Sequence, residues 1–252
     1  MASCLVLRLA APLQSWGTSS EFNRRTTGAA PSKSGIIGLL AAAEGRRRTE
    51  PIVDLVRLRF GVRVDQAGSL LRDYHTVSDY RGKPLPSATL AGSGKQRPTA
   101  PNKFTAVTNR YYLQDAVFVA VLEGDPTLLR NLGDAVRRPG FPLALGRRSC
   151  VPTQPLLLLP DGDGPLWAGD ADTVLADVAW QGKPTPRSRA TVELPVSVDD
   201  PEGEDVVADV PRSFAPTERG FVTRRVRHGW VTVPTGTESE ASAHDPFALL
   251  GW

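Results

Sequence analysis

The chain has 252 residues, enough for one large domain or two small ones, and its 40% hydrophobic content can bury a core. Thirty Lys+Arg stand against 27 Asp+Glu, a net charge of +3, and only two cysteines, Cys4 and Cys150, are present. Two cysteines exclude a disulfide framework or a zinc knuckle and fit a reducing compartment. No apolar run approaches the roughly 20 residues of a membrane span, and Arg8 interrupts Leu5-Val6-Leu7 where a leader would need continuous apolar chain. A cytoplasmic protein with no membrane partner is expected.

From the N-terminus, Ser3 to Leu9 forms a short apolar strand, ended by Ala11-Pro12, and a polar loop is expected from Gln14 to Ser32. Ser32 or Ser34 caps a helix whose apolar face is Ile36, Ile37, Leu39, Leu40 and Ala43, and which stops near Gly45-Arg46-Arg47-Arg48. Thr49-Glu50-Pro51 looks like a second capped start, of one or two turns. Val56, Leu58, Phe60, Val62 and Val64 then alternate with Arg57, Arg59, Gly61 and Arg63, the pattern of a half-buried strand with its arginines in solvent. Arg72 to Tyr112 is poor in apolar residues and rich in Gly, Pro, Ser and basic residues, and reads as a long arm.

Ala116 to Leu122, apolar on both faces, is expected to be a central strand. Asp125-Pro126 caps a helix with Leu128, Leu129, Leu132, Ala135 and Val136 inward, which Arg137-Arg138-Pro139-Gly140 ends. A basic turn follows at Gly146-Arg147-Arg148, then a strand at Leu156–Leu159. Strand, helix, strand, arm, strand, helix, strand is the order of an α+β, ferredoxin-like split βαβ fold, an order that RNA-recognition folds share. Asp161–Asp177 reads as an acidic linker, Val206–Val210, Phe221–Val226 and Trp230–Val233 as strands, and Thr235–His244 as a flexible tail. The expected division is a domain over 1–160, with an arm at 72–112, and a C-terminal part over 161–252.

Charge is unevenly placed. Residues 1–150 hold 22 Lys+Arg and 11 Asp+Glu, net +11; residues 151–252 hold 8 and 16, net −8. A basic half predicts a polyanionic partner on one face, although an acidic loop at 199–209 would account for part of the contrast. Ser32-Lys33-Ser34 at a helix N-terminus places amides and a cation where an anion would sit, with Arg24-Arg25 just upstream; ordinary capping explains the same serines. Gly146-Arg147-Arg148 is a turn that can clamp a phosphate, or a plain solvated turn. Arg72-Asp73-Tyr74-His75 and Arg110-Tyr111-Tyr112 interleave arginine with aromatic rings, as stacking on unpaired bases requires, whereas tyrosines at strand ends are more often core. His75, near Tyr74 and Lys83, is the one candidate for metal-independent RNA cleavage; a lone loop histidine is more often structural. Gly92-Ser93-Gly94-Lys95 lacks the earlier glycine and the Ser/Thr of a phosphate loop. No histidine pair has metal spacing, so neither metal nor cofactor is expected.

Five blocks resemble the CasD family: Leu7 to Gly17 (LRLAAPLQSWG), Pro31 to Leu40 (PSKSGIIGLL), Leu71 to Val77 (LRDYHTV), Leu145 to Pro152 (LGRRSCVP) and Val210 to Phe214 (VPRSF). They keep order and spacing to about residue 230. The resemblance implies a non-catalytic subunit of the type I-E CRISPR surveillance complex, Cascade, that binds the 5′ handle of the CRISPR RNA and caps the backbone filament. It further implies contact with a CasC backbone subunit and the large CasA subunit, and target DNA near a thumb formed by the arm. On this view Gln14, Trp16, Arg24, Arg25, Ser32, Lys33, Ser34, Arg72, Tyr74, His75, Arg110, Gly146, Arg147 and Arg148 hold RNA. The alternative is an endoribonuclease that cuts CRISPR repeat RNA, with His75 at its centre.

Overall fold

A computed structural model describes residues 2–17, 20–21, 23–78, 105–161, 164–184 and 190–236. In chain order these form β1 (Ser3–Ala10), β2 (Leu13–Gln14), β3 (Ser20–Glu21), β4 (Arg24–Arg25), α1 (Lys33–Ala43), α2 (Val53–Val56), β5 (Arg59–Gln66), β6 (Ser69–Ser78), β7 (Thr105–Gln114) and β8 (Val117–Glu123). After them come α3 (Pro126–Arg137), β9 (Leu157–Leu158), β10 (Trp167–Ala168), α4 (Ala171–Asp177), β11 (Thr191–Asp199), β12 (Asp205–Ser213) and β13 (Gly220–Pro234).

The main sheet runs β10-β1-β8-β5-β11-β13-β12, with β9 beside β10 on the free edge of β1. Every pairing in it is antiparallel. Leu5, Leu7 and Leu9 of β1 and Phe118, Ala120 and Leu122 of β8 turn to one face, where they meet Ile36, Ile37 and Leu40 of α1 and Leu129 and Leu132 of α3. Cys4, Val6, Val119 and Val121 turn to the other face and meet Ala171, Val174 and Leu175 of α4. Helices on both faces explain why β8 carries no polar alternation.

That second layer corrects two expectations. The stretch 161–177 is not simply a linker: Asp170 caps α4 by accepting from the Thr173 amide, and Ala171, Val174 and Leu175 are buried at helical spacing. Because α4 covers the other face of β5, Arg63 does not lie in solvent. It is 0% exposed, pairs with Asp65 at 2.7 Å, and donates to the carbonyls of Leu175, Val178 and Ala179 at the end of α4. Arg59, half-buried, bridges Glu123 and Asp172. Only Arg57 is exposed, and it follows α2, a single turn that starts after Ile52 with no side-chain cap rather than at Thr49-Glu50-Pro51.

The C-terminal strands do not form a separate layer. β11 pairs with β5, so the main sheet continues without a break into β13 and β12. The two expected strands at 221–226 and 230–233 are one strand of 15 residues. Thr235 and Gly236 end the described chain, and the rest of the expected tail lies outside it.

A second sheet, β2-β7-β4-β3 with β6 on the other side of β7, stands on the end of the first. The expected arm begins here: β6 and β7 pair over ten residues, from Ser69 opposite Gln114 to Ser78 opposite Thr105. Residues 79–104, with Arg81, Lys83, Lys95, Arg97 and Lys103, lie outside the described chain. Gly68 and Asp115, both at positive φ, set the base of the hairpin; a Cβ at Gly68 would lie 2.4 Å from the Gln114 carbonyl oxygen.

Candidate nucleic-acid interface

In an antiparallel pair, residues directly opposite point to the same side. The β6/β7 register therefore gives the hairpin two distinct faces. One carries Arg72 and Tyr74 opposite Tyr111 and Asn109; the other carries Asp73 and His75 opposite Arg110 and Thr108. β4 runs parallel to β7 and adds Arg24 beside Asn109 and Arg25 beside Arg110. The Arg24 guanidinium lies 5.5 Å from the centroid of Tyr111. Tyr74 is 64% exposed, Arg24 and Arg72 are exposed on the same face, and Arg25 is exposed on the other. Among the described residues Arg25, Arg72 and Arg148 have no side-chain partner. Guanidinium planes and open rings on one surface can stack bases and hold phosphates together.

The opposite face is more self-satisfied. His75 Nδ1 lies 3.7 Å from Asp73, and Arg110 Nε donates to Thr108 Oγ1 at 3.3 Å. Among the described residues no group of three or more His, Cys, Asp and Glu side chains could hold a metal ion.

The expected anion site at the start of α1 is already filled. Ser32 caps the helix by accepting from the Gly35 amide, and Ser34 Oγ lies 3.2 Å from Ser32 Oγ. Asp209 accepts from the Lys33 amide at 2.7 Å, and Lys33 Nζ pairs with Asp199 at 2.7 Å, with the lysine 6% exposed. Arg224 closes the cluster onto both aspartates, at 2.5 Å to Asp199 and 2.6 Å to Asp209. Burial acts to lower the Arg224 pKa, but Asp209 and Asp199 outweigh it and hold the guanidinium charged. The chain's own carboxylates thus lie against the start of α1, where the sequence suggested an anion, and Ser32 and Lys33 are buried there while Ser34 is half-buried.

Gln14 and Trp16 are buried as well. Gln14 is 0% exposed and donates to the carbonyls of Leu9 and Ala116, while its Oε1 accepts from Trp16 Nε1 at 3.1 Å. Trp16 is 1% exposed and packs so close to Gly35 that a Cβ there would lie 2.8 Å from the ring. The expected polar loop is, at these residues, the floor on which the second sheet stands.

Gly146 has φ +91°, and a Cβ on it would fall 1.7 Å from the Ser15 carbonyl oxygen, so the turn presses directly on that floor. Arg147 donates to the carbonyls of Tyr111 (2.7 Å), Arg25 (2.8 Å) and Thr26 (3.4 Å), and covers the Tyr112 ring at 4.7 Å. Arg148 is exposed. The structure brings Arg24, Arg25, Arg72, Tyr74, His75, Arg110, Arg147 and Arg148 together on or beside the second sheet. It places Gln14, Trp16, Ser32 and Lys33 in the interior. Sequence reasoning did not single out Asn109, whose place on the exposed face follows only from register, or the Asp199–Asp209–Arg224 cluster, whose members are distant in sequence.

A two-sheet fold with an arginine- and tyrosine-bearing hairpin fits the comparisons with known proteins. The model of the family described as CRISPR-associated protein (Cas_Cas5) matches residues 4–227, and the chain belongs to that family. The CRISPR system Cascade subunit CasD of Escherichia coli (strain K12) is 36% identical over 176 residues, 63% of this chain and 71% of that protein. Among solved structures, a chain of a CRISPR RNA-guided surveillance complex is 32% identical and superposes with a TM-score of 0.73, covering 99% of this chain and 100% of the other. The crystal structure of a Cas protein, 36% identical, superposes at 0.67 and covers 92% of this chain and 98% of that one. Among the described residues no helix is long and apolar enough to cross a membrane.

Proposed function

We propose that the chain is a non-catalytic, cytoplasmic subunit of a Cascade-type CRISPR surveillance complex, which binds the 5′ handle of the CRISPR RNA through its second sheet. The observation that carries this reading is the exposed face of β4, β6 and β7, where Arg24, Arg72, Tyr74 and Tyr111 lie together. The likeness to the E. coli CasD subunit and to a surveillance-complex chain supports the same assignment. The strand order β9-β1-β8-β5, antiparallel throughout, with α1 after β1 and α3 after β8, supports a ferredoxin-like split βαβ core over residues 1–160, with the arm inserted between its second and third strands. In this reading the hairpin reaches a CasC backbone subunit and target DNA, and the C-terminal part faces CasA.

Binding rather than cleavage fits the histidine. His75 has Asp73 at 3.7 Å as its nearest ionic partner, on the less exposed face of the hairpin. The decisive experiment is co-expression with the other complex subunits, followed by sequencing of the RNA that co-purifies. The Arg24→Ala/Arg72→Ala/Tyr74→Ala variant should lose handle-containing RNA from the complex. Retention of that RNA at the wild-type level would move the binding face elsewhere. Single-site cleavage of repeat RNA by the purified chain, abolished by His75→Ala, would establish the nuclease instead.

A further inference from the structure

We infer that Arg147 is a positioning residue of the RNA interface and not a phosphate ligand: it locks β4, β7 and the 145–148 turn into one frame, on which Arg24, Arg25 and Arg148 are displayed. This rests on the reading of the second sheet as the RNA-binding face. The inference begins with β4, which has only two residues and pairs over no more than two residues with β3 on one side and β7 on the other. It is held to β7 by Arg24 beside Asn109 and Arg25 beside Arg110, and by the Asn109 amide donating to the Asn23 carbonyl at 2.7 Å. Two residues of parallel pairing do not hold a strand in register alone.

Arg147 supplies the missing constraint. One guanidinium nitrogen donates to the Tyr111 carbonyl of β7, and the other to the carbonyls of Arg25 and Thr26 at the end of β4. The flat face of the same group covers the Tyr112 ring at 4.7 Å, so both edge and face are engaged. The turn that carries it is itself fixed. The Ser15 amide donates to the Leu145 carbonyl, Gly146 lies against Ser15, and Cys150 donates back to the Arg147 carbonyl. The Arg147 side chain therefore joins 25–26 and 111–112 to the 145–150 turn, which Ser15 in turn holds. Arg148, next in sequence, has no partner among the described residues and remains open to a phosphate. A lysine could keep the charge at 147, but its single ammonium cannot span carbonyls on two strands while lying flat on a ring.

The test compares Arg147→Lys, Arg147→Ala and Arg148→Ala in the full chain. Two measurements are made: hydrogen exchange without RNA, and binding of a single-stranded CRISPR-repeat RNA across a salt series. Both Arg147 variants should speed exchange by at least tenfold at the Asn109 amide and at the Gly28 amide, which donates to the Trp16 carbonyl at 2.6 Å, with the β1 and β8 amides unchanged; Arg148→Ala should leave all of them protected. Arg147→Lys should weaken RNA binding as much as Arg147→Ala, by tenfold or more. In both, the salt slope should fall by more than the ~0.7 of one single-strand phosphate contact, because the Arg24 and Arg25 contacts go with it. Arg148→Ala should lose about one contact's worth of slope. Adding Arg24→Ala and Arg25→Ala to Arg147→Ala should cost less than threefold more.

Wild-type binding by Arg147→Lys, with unchanged exchange in both Arg147 variants, would make Arg147 a simple phosphate ligand and overturn the proposal. Global loss of β1 and β8 protection in both variants would also overturn it, by making Arg147 a general stability residue. If the wild-type chain binds no repeat RNA, the RNA reading fails, and hydrogen exchange alone still decides whether Arg147 sets the frame.

Discussion

The two sheets use arginine in opposite ways. In the main sheet, Arg63 and Arg224 are drawn inside and matched to aspartates, Asp65 for the first and Asp199 and Asp209 for the second. In the second sheet, Arg24, Arg25 and Arg72 stand on exposed strands beside tyrosines. The difference lies in what covers each sheet. Helices lie on both faces of β5, so any charge there must bring its partner with it. No described helix covers the exposed face of β6 and β7, so charge there stays hydrated and available. The contrast shows that the number of arginines says little about where a polyanion binds; the carboxylates that accompany them decide.

The contrast predicts graded effects. The largest belongs to Arg63→Ala, which leaves Asp65 buried without its cation and three carbonyls without their donor. It should cost about 3–5 kcal/mol in urea denaturation, whereas Arg63→Met with Asp65→Leu should recover most of that. A loss under 1 kcal/mol for the single variant would show that water reaches this pair. Next comes Asp209→Ala, which strips Arg224 and the first turn of α1 of one carboxylate. About 3 kcal/mol of stability should go, with the salt slope of RNA binding intact. A reduced slope would mean that the start of α1 touches RNA after all.

On the second sheet the ranking reverses. Arg72→Ala with Tyr74→Ala should change stability by no more than about 0.5 kcal/mol. RNA affinity should drop by about 1–3 kcal/mol from the lost stacking alone. Binding that survives both substitutions would point to the other face of the hairpin. The smallest effect is chemical. Burial, followed by the charges of Glu123 and Asp170, pushes the Cys4 thiol up to about 12. Burial likewise raises that of Cys150. Below the ordinary thiol value both are neutral, folded or unfolded, so neither affects stability at neutral pH. Above about 9 the unfolded chain ionises Cys4 while the folded chain does not, and stability declines as pH rises towards 12. Iodoacetamide at pH 8 should therefore label both cysteines in urea and neither in the folded chain, as mass spectrometry can check.

Much of the fold was legible from the sequence because its signals are local. Ser32 and Asp125 do cap helices, the apolar run 116–122 is a buried strand, and the arm opens into paired strands. What escaped depends on tertiary layering. The alternation through Arg59 and Arg63 suggested one wet face, since nothing local announces that α4, over a hundred residues later, covers it. The signal for α4 was present in Asp170 and in the spacing of Ala171, Val174 and Leu175, but the surrounding glycines and aspartates obscured it. For the proposed site, the basic and aromatic clusters singled out in the sequence fall largely on or beside the second sheet. Which members point outward could not be known without the β6/β7 register, and Lys33 was separated from Asp209 by 176 residues.

The helix that forms near the start of the chain is completed by a residue near its end, and this bears on how the protein is made. A ribosome adding about 5–20 residues per second needs roughly 10–35 s to travel from Lys33 to Asp209. During that interval Lys33 lacks both of its acidic partners, and the outer edge of β5 waits for β11 with its hydrogen-bonding groups unpaired. A nascent chain in that condition offers a bare strand edge and an unneutralised basic surface to any nucleic acid nearby. The C-terminal strands therefore complete the molecule in time as well as in space: their arrival pairs the outer edge of β5 and gives Lys33 its two carboxylates.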